Sequence, residues 1–205
     1  MKNQPFWEKT YQESDKTFDS GKPSEDIIDL VKYLPKNSSV LYIGCGDGRN
    51  SIFLAKLEHR VTAIDISQSG INKLKQKAND LDIEIDAQVV DANSFEFKTE
   101  YELIIAYGVL HLMSYENRKK LLVKIKQNTK LNGFNIILVF TNELPPPTDL
   151  AEFMVGLYNE GELFQEYINW QIIKKSSFIL NDEHPGGIKH QHPINKIISK
   201  KITIV

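Results

Sequence analysis

Three glycines, Gly44, Gly46 and Gly48, stand at alternate positions between a short apolar run and a segment with helical periodicity. Glycine has no Cβ, so a turn of this kind lets the backbone bend sharply and approach a ligand closely. The helix that follows points its free N–H groups and the positive end of its dipole at that ligand. The strand–turn–helix pattern therefore predicts a binding site for a nucleotide-like small molecule.

The spacing of this turn narrows the class of ligand. A dinucleotide-binding turn has the pattern G-x-G-x-x-G, but Arg49 stands where its third glycine belongs. A phosphate-binding P-loop needs Gly-Lys-Ser/Thr, and no such string follows the turn. The more compact G-x-G-x-G turn suits a nucleoside that carries an amino acid instead of a diphosphate.

Two acidic residues follow the strands that the sequence predicts next. Asp65 ends the second strand, where a carboxylate accepts protons from ribose hydroxyls, and Asp91 follows the third, where it would accept from an exocyclic amine. Each of them alone is more often a solvated loop acid or a helix cap. Together with the glycine turn, they predict a site for the ribose and the base of a nucleoside.

The elements that must position these residues alternate between strand and helix periodicity. Short apolar runs predict five parallel strands, at Val40–Ile43, Val61–Ile64, Ile83–Val90, Tyr101–Tyr107 and Phe134–Phe140. Helices are predicted at Asn50–Glu58, Gln68–Asn79 and Tyr115–Thr129. Two last strands, Trp170–Leu180 and Lys196–Ile204, should form an antiparallel hairpin around a loop at Asn181–Pro193. The pattern predicts an α/β fold with a doubly wound, mostly parallel seven-stranded sheet, which binds ligands at the carboxyl ends of its strands.

The glycine turn and its partners resemble the successive motifs of the class I S-adenosylmethionine-dependent methyltransferases. Besides the turn, the resemblance rests on Ala63-Ile64-Asp65, Asp91-Ala92 and Glu102-Leu103-Ile104-Ile105-Ala106. It implies a Rossmann-like sheet that ends in an antiparallel hairpin, with S-adenosyl-L-methionine as cofactor and S-adenosyl-L-homocysteine as product. In one respect the chain departs from the family, because Tyr42 stands where an acidic residue usually organises the methionine end of the cofactor.

The resemblance implies a role for each part of this site. The three glycines line the methionine part of the cofactor, Asp65 takes the ribose, and Asp91 with Ala92 takes the adenine. Arg49 either pairs with the cofactor carboxylate or is a solvated side chain of the first helical turn. The candidate cofactor-binding residues are Gly44, Cys45, Gly46, Gly48, Arg49, Asp65, Ile66, Asp91, Ala92, Tyr107, Trp7 and Tyr11.

A finer resemblance is to the TehB-type tellurite-resistance methyltransferases. It rests on the string Gly44–Ser51 and on Tyr158–Leu163, which Tyr167 and Trp170 follow. In that subfamily a histidine and basic residues near the C-terminal hairpin handle the substrate, and His184 occupies the histidine position. The arginines expected next are missing, and the nearest candidates are Lys189, His190 and His192. Since lysine and histidine lack the bidentate fork of arginine, the acceptor stays open among a chalcogen oxyanion, a thiol and a similar nucleophile.

Methyl transfer from a sulfonium is an in-line displacement, so the protein mainly has to align the reactants and exclude water. A thiol or reduced chalcogen needs little more, whereas a hydroxyl or an amine needs a base. His184 is the candidate base, and the alternative is that it is only a turn histidine before Pro185. Tyr107 is the second candidate catalytic residue. Trp7 and Tyr11 either fold over the cofactor as a lid or pack an N-terminal helix onto the core of the protein.

Length and composition predict one domain over residues 1–205, with an N-terminal arm or lid at 1–34 and the core sheet at 35–205. A net charge of −2 gives no general attraction to nucleic acid or anionic membranes, and one cysteine allows neither a disulfide nor a metal-ligand pair. We therefore expect a cytoplasmic bacterial enzyme, monomeric or homodimeric, that acts on a small molecule without a metal, membrane or nucleic-acid partner. The alternative is a non-catalytic, regulatory S-adenosylmethionine-binding module.

Overall fold

The computed structural model of the chain describes residues 6–12, 21–148, 150–184 and 188–202. In these residues seven strands form one sheet in the order β3-β2-β1-β4-β5-β7-β6. The strands are β1 (Ser39–Ile43), β2 (Arg60–Asp65), β3 (Asp86–Val89), β4 (Tyr101–Tyr107), β5 (Thr129–Phe140), β6 (Gln171–His184) and β7 (Ile188–Lys200). The helices are α1 (Phe6–Gln12), α2 (Glu25–Leu30), α3 (Arg49–Lys56), α4 (Gln68–Asp80), α5 (Tyr115–Gln127) and α6 (Glu162–Glu166), with 3₁₀ turns at Val31–Tyr33 and Leu110–Leu112.

The chain forms two compact units, and the first spans Met1–Leu103. In it β1 and β3 pair in parallel with β2, so that the three carboxyl ends lie at one edge. The apolar run of β1 is buried, as is expected of a strand covered on both faces. Ser67 caps α4, because its hydroxyl accepts a hydrogen bond from the Gly70 amide at 2.9 Å. The predicted βαβ units are thus confirmed.

The second unit spans Ile104–Val205 and ends in the antiparallel part of the sheet. β7 pairs antiparallel with β5 on one side and with β6 on the other. The fully buried Ile137 of β5 lies opposite Ile197 of β7, which is also fully buried. The mostly parallel sheet with a terminal antiparallel hairpin is therefore confirmed, and the single-domain organisation stays a prediction.

Several predicted boundaries were wrong. Asn181–Pro193 was expected to be a loop, but β6 continues to His184 and β7 begins at Ile188. The polar residues of this segment lie in a hairpin whose outer strand is exposed, so the sheet tolerates them. β5 begins at Thr129 instead of Phe134 and passes through Asn132 with a φ of 66°.

None of the helices in the described part of the chain has an apolar stretch long enough to cross a membrane. The expected N-terminal arm lies partly at residues 1–5 and 13–20, outside the described residues.

Candidate functional site

The turn between β1 and α3 adopts a conformation that requires its glycines. Gly44, Gly46 and Gly48 have φ angles of 71°, 55° and 85°, a region that residues with a Cβ rarely occupy. The amides of Gly44 and Cys45 donate to the Ile64 carbonyl at 2.8 and 3.0 Å, which ties the turn to β2. The predicted glycine turn is therefore held by hydrogen bonds at the carboxyl ends of two parallel strands.

One face of α4 supports this turn. Leu74 lies so close beneath Gly48 that a Cβ on the glycine would overlap its side chain. One helical turn further on, Lys77 forms an ion pair with the nearly buried Asp47 at 2.7 Å. These supporting residues have helical spacing on α4, but the sequence gives no sign of which element they contact.

Gly46 is enclosed on two sides. On one side Gly70 of α4 approaches so closely that a Cβ there would lie 3.1 Å from the Gly46 carbonyl. On the other side the phenol oxygen of Tyr11 occupies the space that a Gly46 side chain would need. Burial, and then the charge of Asp65, raise the pKa of Tyr11, so the phenol stays protonated. Because Gly46 has no side chain, the Tyr11 side chain of α1 can lie directly against the backbone of the turn.

Asp65 joins the end of β2 to the glycine turn. Its Oδ2 accepts from the Gly46 amide at 2.7 Å, and its Oδ1 accepts from the Ser67 amide at 2.8 Å. Burial raises the pKa of this carboxyl, and the two backbone hydrogen bonds oppose that shift. Each carboxylate oxygen has two lone pairs, so both retain the capacity to accept a further hydrogen bond.

Asp91 follows the end of β3, beside the chain segment that carries Asp65. The Val90 amide donates to the Asp65 carbonyl at 2.9 Å, which places the two predicted acidic positions on adjacent chain segments. Oδ1 of Asp91 accepts from the amide and the side chain of Asn93 at 2.8 and 2.9 Å, so it stabilises its own turn. Asp91 is exposed and Ala92 is buried.

Arg49 makes its described contacts with the segment before α2. Nη1 donates to the Lys22 carbonyl at 2.7 Å, and Nη2 donates to the Ser24 hydroxyl at 3.3 Å. These contacts favour a role in fixing the start of α3, and its pairing with a cofactor stays a prediction. Ile66 is 59% exposed, so its apolar surface is open to a ligand or to solvent.

Tyr42, at the position of the usual family acid, is buried and hydrogen-bonded. Its hydroxyl accepts from Asn50 Nδ2 at 2.9 Å, and Asn50 Oδ1 accepts from the Ser24 amide at 2.8 Å. The tyrosine therefore holds the first turn of α3 against the chain ahead of α2. Cys45 is also buried, and burial raises the pKa of its thiol, so it is not a reactive thiolate.

α1 docks on the N-terminus of α4 through Glu8, a residue that sequence reasoning missed. The Glu8 carboxylate accepts a short hydrogen bond from the Ser67 hydroxyl and another from the Ser69 amide at 3.3 Å. Burial disfavours its ionised form, but these hydrogen bonds outweigh burial and lower the pKa of Glu8. An acid at a helix N-terminus is also favoured by the helix dipole. The docked helix carries Tyr11, and also the half-buried Trp7.

Gly46→Ala should lower the free energy of unfolding by about 1–3 kcal/mol through backbone strain, with a further loss from displacement of Tyr11. Chemical denaturation measures the change. Gly108→Ala is the matched control, because Gly108 has a φ of 70° but no atom near its absent side chain. Tyr11→Phe removes the phenol oxygen and should recover part of the Gly46→Ala loss. Equal losses for the two glycine variants would show that Tyr11 does not press on the turn.

The predicted acceptor-side residues belong to the second unit. Tyr107 is the last residue of β4 and is half-buried. His184 is the last residue of β6, and its side chain lies outside the described part of the structure. The catalytic roles of both residues stay predictions.

Three other histidines of this unit stack in a column with Phe140. The ring of His111 lies 4.1 Å from that of Phe140, which lies 4.5 Å from His192 on its other side. His190 continues the column at 5.7 Å from His192. The three imidazoles are buried, and burial lowers the pKa of His111 to about 3. His111, which follows β4 as Tyr107 does, therefore packs as a neutral core side chain.

The segment that carries the second part of the subfamily resemblance is a structural junction. Glu162 accepts from the buried Arg118 at 2.9 Å, and the guanidinium lies 3.7 Å from the centre of the Tyr158 ring. Glu160 accepts from Ser177 at 2.7 Å and from Asn195 at 2.6 Å, so it joins this segment to the hairpin. These contacts give the motif residues a role in folding.

No group of three or more His, Cys, Asp or Glu side chains in the described residues is placed to hold a metal ion.

Comparison with known proteins identifies a family match over most of the chain. The family model described as "Tellurite resistance protein TehB" matches residues 2–189. The probable S-adenosyl-L-methionine-dependent methyltransferase TehB of Haemophilus influenzae is 27% identical over 154 residues, which are 73% of this chain and 51% of that protein. The chain thus spans about half the length of this curated relative.

Solved structures show the same fold. The crystal structure of TehB from Haemophilus influenzae has a TM-score of 0.77 at 21% identity. The alignment covers 95% of this chain and 65% of the TehB chain. N-methyltransferase NodS from Bradyrhizobium japonicum, solved with S-adenosyl-L-homocysteine, has a TM-score of 0.72 at 15% identity, with 96% and 97% coverage. At these identities the likeness establishes the fold.

Proposed function

Because the chain belongs to the TehB family of tellurite resistance proteins, we propose that it is an S-adenosylmethionine-dependent methyltransferase acting on a small-molecule acceptor. The observation that carries the proposal is the contact between Asp65 and the glycine turn. The half-buried carboxylate at the end of β2 accepts a hydrogen bond from the Gly46 amide, at the place where the predicted site needs a ribose ligand. The curated relative from Haemophilus influenzae is named as a probable enzyme of this type.

The residues at this turn fit the cofactor. The left-handed glycines leave three alternate positions of the turn without a side chain, and the oxygens of Asp65 can accept the ribose hydroxyl protons. Asp91 and Ala92, on the adjoining segment, would take the adenine edge. The exposed surface of Ile66 would pack against the ligand. We propose that these residues hold the nucleoside part of the cofactor.

The cofactor supplies a methyl group on a sulfonium, which is already activated for displacement. What the chain must add is orientation and the exclusion of water, which together are worth about 7–11 kcal/mol when the reactants are well aligned. α1 suits the second task, because Glu8 holds it on α4 and Tyr11 lies against the glycine turn. We propose that α1, with Trp7 and Tyr11, covers the methionine end of the cofactor.

Tyr107 and His184 are proposed to serve the acceptor. A histidine takes up a proton near neutral pH, so His184 can accept one from a thiol or a hydroxyl during transfer. Tyr107 offers a hydroxyl that can orient the acceptor. The acceptor class that we propose is a small nucleophile: a chalcogen oxyanion, a thiol or a similar group. The buried thiol of Cys45 is compatible with the cytoplasm as the compartment.

A second candidate function is a regulatory module that binds the cofactor without methyl transfer. Tyr42 favours it, because a buried, hydrogen-bonded tyrosine replaces the acid that usually organises the methionine end. The two functions share the cofactor site and differ in whether a methyl group is transferred.

Calorimetry with S-adenosyl-L-homocysteine and with NAD tests the cofactor. We expect S-adenosyl-L-homocysteine to bind and NAD not to bind, and binding of NAD alone would overturn the proposal. Incubation with methyl-labelled cofactor and a panel of thiols, selenite and tellurite then separates the two functions. Label transfer supports the enzyme, whereas tight cofactor binding with no transfer to any acceptor supports the regulatory module.

Asp65→Ala should weaken the binding of S-adenosyl-L-homocysteine by about 1.5–3 kcal/mol, because hydrogen bonds to a charged group are lost. Calorimetry measures the change, and a denaturation curve shows whether the variant is folded. Asp86→Ala is the matched control, since Asp86 is an exposed acid at the opposite end of the neighbouring strand. An unchanged dissociation constant in folded Asp65→Ala would show that the ribose assignment is wrong.

A further inference from the structure

β6 is the outermost strand of the sheet, since among the described strands it pairs with β7 alone. Its outer edge presents a row of backbone N–H and C=O groups with no described strand beside it. Nearly all of its described side chains are exposed, whichever face of the sheet they lie on. Such an edge is a template on which another strand can pair.

Large apolar side chains lie along this exposed strand. Five of them are between 36% and 53% exposed: Ile172, Ile173, Phe178, Ile179 and Leu180. Three of the five are consecutive, so they place apolar surface on both faces of the sheet next to the open edge. Exposed apolar side chains beside a strand edge that no other described strand covers mark a site of association.

A bulge and a pair of lysines, which usually protect an open edge, lie near the start of β6. A bulge falls between Ile172 and Lys174, and two consecutive lysines follow it; both features discourage pairing. From Lys174 to His184 the register with β7 is regular. Phe178, Ile179 and Leu180 lie at the centre of this regular segment, where neither feature protects them.

The charges of the regular segment complement those of an antiparallel copy. Lys174 and Lys175 stand at its start, and Asp182 and Glu183 stand near its end. We propose that β6 pairs with β6 of a second copy of this chain, antiparallel about a two-fold axis, so that two sheets join into one. Each basic end then lies along an acidic end. The chain has a net charge of only −2, so general repulsion between copies is weak.

Strand geometry selects the register. In an antiparallel ladder, opposed residues direct their N–H and C=O groups either both toward or both away from each other. The two-fold axis must therefore pass between one residue and the same residue of the second copy. An axis at Ile179, the midpoint of the regular segment, opposes Phe178 with Leu180 and Lys175 with Glu183. An axis at Phe178 would instead oppose Leu180 with a serine, so the Ile179 axis matches residue types better.

Sedimentation equilibrium of the full chain tests the pairing. We expect a concentration-dependent dimer, and Ile179→Glu should raise its dissociation constant about tenfold or more, because like charges then oppose each other at the axis. Ile173→Glu is the matched control, since Ile173 is similarly exposed but precedes the regular segment. It should leave the dimer intact. If the wild-type chain is a monomer, the edge of β6 does not pair with a second copy. If the two variants weaken the dimer equally, the dimer interface lies elsewhere. Either result overturns the proposal.

Disulfide cross-linking tests the register independently of charge. Opposed residues in a ladder have Cβ atoms about 4.5–5.5 Å apart, so Ile179→Cys should form an intermolecular disulfide with its own copy on oxidation. Lys175→Cys is the control, because it lies on the same face but several residues from the axis. The native Cys45 is buried and does not interfere. Faster cross-linking of Phe178→Cys than of Ile179→Cys would overturn the proposed register. None of these outcomes depends on cofactor binding.

Discussion

Glu162→Ala should lower the free energy of unfolding by about 3–5 kcal/mol, because it leaves a buried guanidinium without its carboxylate. Arg118 is only 3% exposed, and its Nη2 donates to Glu162 at 2.9 Å. The Tyr158 ring, 3.7 Å from the guanidinium, is an attractive but weaker partner. Glu162 also accepts from the Asn159 amide at 3.0 Å, so the loss of its carboxylate loosens the loop before α6. Urea denaturation measures the change.

Glu166→Ala is the matched control for this prediction. Glu166 is an acid of the same helix with almost the same exposure, but its partners Lys119 and Lys126 are 37% and 24% exposed, against 3% for Arg118. An ion pair with an exposed partner contributes about 0–1 kcal/mol, so this variant should be close to the wild type. Arg118→Met combined with Glu162→Ala should recover much of the loss, because the unpaired charge is removed. If Glu166→Ala were the more damaging variant, burial of the arginine would not be what makes the pair important.

The sequence predicted those parts of the fold that depend on local patterns. Alternating apolar runs and amphipathic segments indicated the βαβ units, since each element must bury one face. The turn at Gly44–Gly48 was also predictable, because its conformation requires glycine. The position of Asp65 at the end of β2 was predictable as well, because the apolar run of that strand ends at Ile64.

Contacts between distant elements could not be predicted in this way. Glu8 looks like an ordinary acid of a short helix, and only the structure shows that it docks on Ser67. Leu74 fits the apolar stripe of α4, but periodicity alone does not show that it lies beneath Gly48. The length of β6 was missed because its polar residues are typical of loops. Pairing with β7 supplies the backbone hydrogen bonds that local preference does not.

His111 should make the stability of the fold depend on pH between about 3 and its ordinary pKa of 6.5. Burial, and then the neighbouring His192, lower the pKa of folded His111 to about 3. In that interval the unfolded chain binds a proton that the folded chain does not, so stability rises with pH. The contribution is complete above 6.5 and falls by about 1.4 kcal/mol per unit as the solution is acidified. Denaturation curves at a series of pH values measure this slope.

His111→Asn separates this contribution from those of other groups. The asparagine carbonyl can still accept the Phe140 amide, which donates to Nδ1 of His111 at 3.3 Å. The wild type should be more stable than this variant at pH 7, and its advantage should shrink as the pH falls to 4. His59→Asn is the matched control, because His59 accepts the Ser38 amide at 3.2 Å in the same manner. Burial also lowers the pKa of His59, but Glu102 opposes the shift, so its effect on the slope should be smaller. Parallel pH curves for the wild type and His111→Asn would mean that the buried imidazole is protonated equally in both states.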